Sequence, residues 1–332
     1  MESSKSKRRR GQNGERCTCS HGAKREEHLY LVLDDWKAAP ERTPMAFAAL
    51  GTNIFVSTNK HCSRHQAPPF LVYDTATAAL SIGPRPPDGY LRDLGDAVAV
   101  SEKLYALTLV GDELRPSTSL QVLSWAPTPR ADRLEAWDPT MAWLWNSAPT
   151  TSPFMARDVI TSYCLHPDGR TIFMSTDWRT HSVDTSNGVW RDLGEWTLPF
   201  RGRAYFDDGL DAWVGLCREH DGYVCRCAVG SRSAMATQQP ECWMLKEKLF
   251  RRGGEGKRQR LGATLTYMGD SNFCLVENVL RSEDALDAVL NVTLFGLKYD
   301  RKGELQTKTH RTTKSYALSK NTTLFSHAAF WM

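Results

Sequence analysis

The chain has 332 residues, 41% hydrophobic and 24% charged, with 42 Lys+Arg against 38 Asp+Glu. It is too apolar for a disordered protein and too polar for a membrane bundle, and it is long enough for one large core or two modest ones. No run of about 18 apolar residues occurs, so a helical membrane span is excluded.

Residues 1–27 hold eight Lys/Arg and four Glu and lack any apolar period. They are expected to form a disordered basic tail. Within it the run SKSKRRR supplies Lys5, Lys7, Arg8, Arg9 and Arg10. Such a compact cation run can dock on the acidic groove of an import receptor, so it is the nuclear-targeting candidate. The tail has no apolar segment of the signal-peptide kind. The nine cysteines are therefore expected as reduced thiols in a cytoplasmic or nuclear protein.

From His28 the character changes. HLYLVLDDW (28–36) is a β-forming run, and short apolar runs then recur to the end, punctuated by Gly, Pro, Asp and Asn. RSEDALDAVL (281–290) is the best helix candidate, and it is short. The expected class is all-β.

One pattern recurs five times: an apolar run, a tight polar turn, and a second apolar run with an aromatic residue. Its instances are 47–57, 97–107, 160–175, 203–216 and 262–276, anchored by Phe55, Tyr105, Phe173, Trp213 and Phe273. The turns GT, SE, PDG, DDG and GD suit hairpins. A third strand follows each hairpin, at 70–75, 119–125, 180–185, 223–229 and 294–300, and a fourth is visible at 78–82, 188–193 and 305–310. Four-stranded units at this spacing predict a β-propeller over 28–332, with six blades favoured and five as the alternative. The terminal runs 28–35 and 322–332 would pair to close the ring and remove exposed edges. A two-domain β-sandwich array is the competing architecture.

Motifs for chemistry are few. RGGEGKR (252–258) lacks the spacing and hydroxyl of a phosphate loop. Cys17, Cys19 and His21 lack the two-residue spacing of structural zinc sites. Asp207, Asp208 and Asp211 do not match a calcium loop and read as a hairpin turn. Cys217, Cys225 and Cys227 fall in strands and read as buried small hydrophobes. The tryptophans, Trp125, Trp145, Trp190, Trp196 and Trp213 among them, are expected to wedge between blades. No catalytic set, metal or cofactor is expected.

Blade topology sorts the loops onto two faces. The tight turns between strands 1–2 and 3–4 carry Asp74, Glu102, Asp168, Asp184, Asp207, Asp208, Asp270 and Asp300, which predicts an acidic face. The 2–3 loops and blade-to-blade connections carry Arg85, Arg157, Arg179, Arg201, Arg203 and Arg218. Arginine can hold carboxylate or phosphate bidentately, so these six are the candidate binding residues on the long-loop face.

The stretches YLVLDDW, FAALGTNIF, VYDTATAALSIGPRPP, HPDGRTIF, VDTSNGVWRDLGEWTLPFRGRAYFD and LDAWVGLC resemble a set of grass proteins of the plant kelch-like, F-box-associated β-propeller kind, a domain of unknown function. The resemblance spans most of 28–300. It implies a propeller fold and protein recognition.

The expected function is a non-enzymatic protein-interaction module for an acidic or phosphorylated partner, with no membrane association. One alternative is a small-molecule or metal-assisted enzyme with a central-channel site. Another is a nucleic-acid-associated nuclear protein using the tail and the basic run 246–260. Residues 28–332 hold 34 charges of each sign, which argues against a dedicated nucleic-acid binder.

Overall fold

The computed structural model describes residues 27–33, 45–57, 70–84, 90–91, 97–110, 117–129, 140–230, 239–250, 260–280, 288–318 and 326–332. The tail of 1–26 and Arg85 lie outside them. Among the described residues the chain is all strand, turn and bend, with no helix.

Strand β1 (Leu29–Leu33) opens the chain. Four strands form the first blade: β2 (Ala46–Leu50), β3 (Asn53–Ser57), β4 (Phe70–Asp74) and β5 (Ala79–Ile82). The second blade has β6 (Tyr90–Leu91), β7 (Val98–Val100), β8 (Lys103–Val110), β9 (Ser117–Pro127) and β10 (Met141–Ser147), with β6 and β7 both pairing β8. The third comprises β11 (Ser162–Leu165), β12 (Thr171–Ser175), β13 (Thr180–Asp184) and β14 (Val189–Gly194). The fourth comprises β15 (Gly202–Asp207), β16 (Ala212–Leu216), β17 (Val224–Cys227) and β18 (Cys242–Met244). The fifth comprises β19 (Arg260–Tyr267), β20 (Asn272–Leu280), β21 (Ala288–Tyr299) and β22 (Leu305–Ala317). Strand β23 (His327–Trp331) ends the chain and pairs antiparallel with β1, Leu29 facing Trp331 and Leu33 facing His327.

Within the first, third, fourth and fifth blades, neighbours in sequence are neighbours in the sheet, and in the second the same holds from β7 to β10 with β6 added on β8. The first strands of successive units touch in the order β2, β7, β11, β15, β19, β23 and back to β2. β11 and β15 pair in parallel, Tyr163 beside Arg203, which joins the third and fourth blades edge to edge. The ring of first strands therefore closes, and the β1–β23 ribbon fills its last place. The fold is a β-propeller.

Packing follows from the period of two. In β8, Leu104 and Ala106 join Phe55, Phe70 and Leu123, whereas Tyr105 and Leu107 join Phe154, Ile172 and Met174. A strand between two blades buries both faces, so it reads as a continuous apolar run instead of alternating. β12 is buried at all five positions, and so is β16. In β16, Trp213 faces the third blade, while Val214 and Leu216 face the fifth. Trp213 is fully buried, packs at a tilt against Phe173 with ring centres 5.2 Å apart, and donates its indole N–H to the Leu165 carbonyl at 2.9 Å. Burying such a ring contributes several kcal/mol, roughly 3–5 on truncation to alanine. Gly215 beside it tolerates no larger residue, because a Cβ there would lie 2.5 Å from the Phe200 ring.

Three sequence expectations change. The helix expected at 281–290 is not formed where it can be seen: residues 288–290 begin β21, paired with β20, and 281–287 lie outside the described residues. Trp125 is 53% exposed and packs edge-on against Trp143 of its own blade, so it does not wedge between blades. The fourth strands β10 and β18 had no signal. β18 is fully exposed at the edge of its sheet.

Candidate functional site

The two faces differ in what their charges do. On the tight-turn face the carboxylates hold their own turns. Asp168 accepts the N–H groups of Arg170 and Thr171 at 3.0 and 2.9 Å and the Thr171 hydroxyl at 2.7 Å. Burial alone would raise this carboxyl, but those hydrogen bonds and His166 hold it well below the usual carboxylate range. Asp74, Asp184 and Asp300 repeat the arrangement, each accepting a backbone N–H two residues on, at 3.0, 3.0 and 2.8 Å. Asp207 is fully buried and accepts the Leu210 N–H at 2.8 Å and the Ser271 hydroxyl at 2.7 Å, tying the fourth blade to the fifth. Burial and this carboxylate push the Tyr267 phenol up to about 12. The sequence reading of 207–211 as a turn matches the hairpin between β15 and β16.

On the long-loop face the arginines divide. Arg179 pairs with Asp192 and, at 3.1 Å, with Glu195, and lies 4.7 Å over the Trp178 ring. Arg218 bridges blades, donating to Asp177 at 2.7 Å and to the Thr161 hydroxyl at 3.3 Å. Arg157 is exposed in the connection between β10 and β11, and Arg201 is exposed just before β15. Neither side chain has a hydrogen bond or ion pair among the described residues. The connection carrying Arg157 is built, not slack. Buried Phe154 anchors it edge-on to Trp190, and Asp158 accepts the Met155 N–H at 2.7 Å. Met155, Val159 and Trp178 stand 57%, 62% and 56% exposed on the same face.

Arg203 belongs to neither set. It was expected in a connection, yet it is the second residue of β15. Its guanidinium lies 4.7 Å over the Tyr205 ring. With Arg201 it lines a cavity of about 320 Å³ that opens among the starting ends of the first strands. Five of those strands, β2, β11, β15, β19 and β23, contribute to its wall, with Ala97 just before β7 and Leu216 of β16. The wall carries Ala46, Ala97, Ala263 and Ala329 and no Asp or Glu among the described residues. His327 also lines it, and burial pushes its imidazole below the ordinary histidine value, so the positive charge there is that of the arginines.

A second chemical feature lies where β16 meets its loop. Cys225 and Cys227 are buried as expected, but Cys217 is half-buried. The neighbouring Cys225 side chain, then the His220 N–H and ring, bring Cys217 down to about 5, while Cys225, whose thiol donates to the Pro199 carbonyl at 3.6 Å, is pushed up. The Cys217 sulfur lies 3.9 Å from His220 Nδ1. Among the described residues no group of three or more His, Cys, Asp or Glu is placed to hold a metal. Cys17, Cys19 and His21, with Lys5, Lys7 and Arg8–Arg10, lie outside the described residues.

Residues 33–316 match a family described as a protein of unknown function, DUF1668. The chain belongs to the DUF1668 family. No curated protein matches it. Among solved structures, Hsv2 of Kluyveromyces lactis is similar at 11% identity and a TM-score of 0.37, over 82% of this chain and 87% of that one. A putative TolB from Agrobacterium tumefaciens is similar at 9% identity and a TM-score of 0.36, over 92% and 99%. The WD40 domain of SCAP from fission yeast gives 8% identity and a TM-score of 0.28, over 88% and 66%. The DUF1668 match is broader than the kelch-like and grass resemblance, which stays an expectation.

Proposed function

We propose that this DUF1668 chain is a non-enzymatic protein-interaction module that docks an acidic or phosphorylated segment of a partner on its long-loop face. One observation carries this reading. Arg157 and Arg201 stand exposed without an intrachain carboxylate among the described residues, in the same set of loops and connections that exposes Met155, Val159 and Trp178. Tryptophan, methionine and arginine are the residues enriched at protein interfaces, and a charged pair flanked by apolar contacts gives both orientation and affinity. Arg179 and Arg218 serve the same face by fixing the loops, since their charges are already matched. Arg85 lies outside the described residues, and its inclusion rests on the sequence alone. The cation run at Lys5–Arg10 is proposed as an import-receptor motif, separate from the docking face.

The test is binding of a library of acidic and phosphorylated peptides by fluorescence anisotropy. The wild type should bind a subset. Arg157→Glu combined with Trp178→Ala should weaken those peptides at least tenfold while unfolding at the wild-type temperature. Undiminished binding by that variant would sink the assignment of the face.

A further inference from the structure

The channel cavity is chemically unlike the docking rim. Its wall is made mostly of strand residues, with Met45, Ala97, Arg201 and Ser326 each one residue before a strand, so its shape is set mainly by the ring. Its only charged residues among those described are Arg201 and Arg203. Stacking on Tyr205 fixes the Arg203 guanidinium, and pairing of β11 with β15 sets its backbone beside Tyr163. That guanidinium has no acceptor among the described residues. A half-buried arginine without a counter-ion is costly to keep, and an oxyanion would match its donor fork.

A second observation points the same way. Thr264 and Thr266 lie on one side of β19, and both line the cavity. Thr266 donates its hydroxyl to the Ala329 carbonyl at 2.9 Å, part of the ring closure. The Thr264 hydroxyl is buried and has no hydrogen-bond partner among the described residues. Buried hydroxyls are nearly always paired, so its partner is expected from outside the chain. The alanines opposite leave room for a small carbon body, and about 320 Å³ is at the lower end of ligand-pocket volumes.

We infer that the channel mouth binds a small organic anion, a carboxylate or phosphate group held by Arg201 and Arg203 with the Thr264 hydroxyl in reach and a compact apolar body against the alanine wall. This goes beyond protein docking: the site shares Arg201 with the docking face but rests on Arg203 and Thr264, which docking does not use.

The full chain would be titrated by calorimetry with phenyl phosphate and benzoate, with phenol as the uncharged control. The expected result is one site per chain for at least one of the two anions and none for phenol. Arg203→Gln should weaken that anion at least tenfold, and Thr264→Val, nearly isosteric, should weaken it several-fold without lowering the melting temperature. Should Arg203→Gln disturb the fold, Arg201→Gln gives the same reading from an exposed position. Failure of both anions to bind, equal binding of phenol, or unchanged affinity in the arginine variants overturns the inference. The Arg157→Glu, Trp178→Ala variant should bind the anion like wild type. Loss of peptide binding with the anion site intact therefore separates the two sites.

Discussion

The two faces of this propeller are built from opposite ends of the same strands and use charge in opposite ways. On the tight-turn face, Asp74, Asp168, Asp184 and Asp300 close their own turns, and Asp207 closes a turn and joins two blades. On the long-loop face, Arg157 and Arg201 are exposed, and Arg203 stands in the channel on an aromatic ring. A row of charges in a sequence is therefore not by itself a binding surface. What separates the faces is whether the local backbone already supplies the counter-group. A tight turn offers N–H groups two residues away and satisfies a carboxylate, while a long connection leaves a guanidinium to find a partner elsewhere.

Four substitutions and one label would break or sharpen that contrast. Asp207→Ala should cost the most, about 2–4 kcal/mol in urea unfolding, because it strands a buried N–H and a buried hydroxyl between blades. A loss below half a kcal/mol would mean the acidic face is not structural. At pH 6, Cys217 on the long-loop face should react with iodoacetamide about tenfold faster than glutathione, its thiolate fraction outweighing its lower intrinsic nucleophilicity. Peptide mapping by mass spectrometry would locate the label, and a slower rate than glutathione would contradict the hydrogen-bonded thiolate.

Asp168→Ala should cost about 1–2 kcal/mol at neutral pH through its turn hydrogen bonds. The folded carboxyl lies below its ordinary value of 3.8. Its contribution is therefore fully present above that value and is lost as pH falls toward the folded one. The stability gap between wild type and variant should hold at pH 5 and shrink only below about 4. A gap that closes between pH 7 and 5 would contradict this. The smallest effect separates two arginines on one face. Arg218→Ala should lose about 0.5–1 kcal/mol from its bridge to Asp177, and Arg157→Ala should stay within about 0.5 kcal/mol of wild type.

Much of the fold was legible in the sequence, for definite physical reasons. Turn residues at 51–52, 101–102, 167–169, 207–209 and 269–270 mark hairpins that the structure pairs in register. Phe55, Phe173, Trp213 and Phe273, one in each of four hairpins, are all fully buried. The edge strands β10 and β18 were not legible, because long connections (128–140 and 228–241) separate them from β9 and β17, whereas β5, β14 and β22 follow their partners after short turns (75–78, 185–188 and 300–304). The extension of β21 back to Ala288 was hidden by an Ala/Leu spacing that also suits a helix, and pairing with β20 decides it.

The site was half legible. Loop topology assigned Arg157, Arg179, Arg201 and Arg218 to the long-loop face without coordinates. It could not tell that Asp192, Glu195 and Asp177 already pair two of them, since those contacts depend on side-chain reach across a blade. The channel was invisible, because its wall is drawn from six strands spread from Met45 to Phe330. The Cys217 environment was missed for a similar reason. Its partner thiol, eight residues on, comes beside it only when β16 and β17 pair.

The most direct test is to measure binding of the acidic and phosphorylated peptide library to three proteins at once. These are the wild type, Arg157→Glu with Trp178→Ala, and Glu102→Lys, an exposed charge reversal on the tight-turn face. The account predicts that the wild type and Glu102→Lys bind the same peptides with affinities within about threefold, and that the double variant loses them. Peptides that bind none of the three, or that are lost equally from both variants, would contradict it.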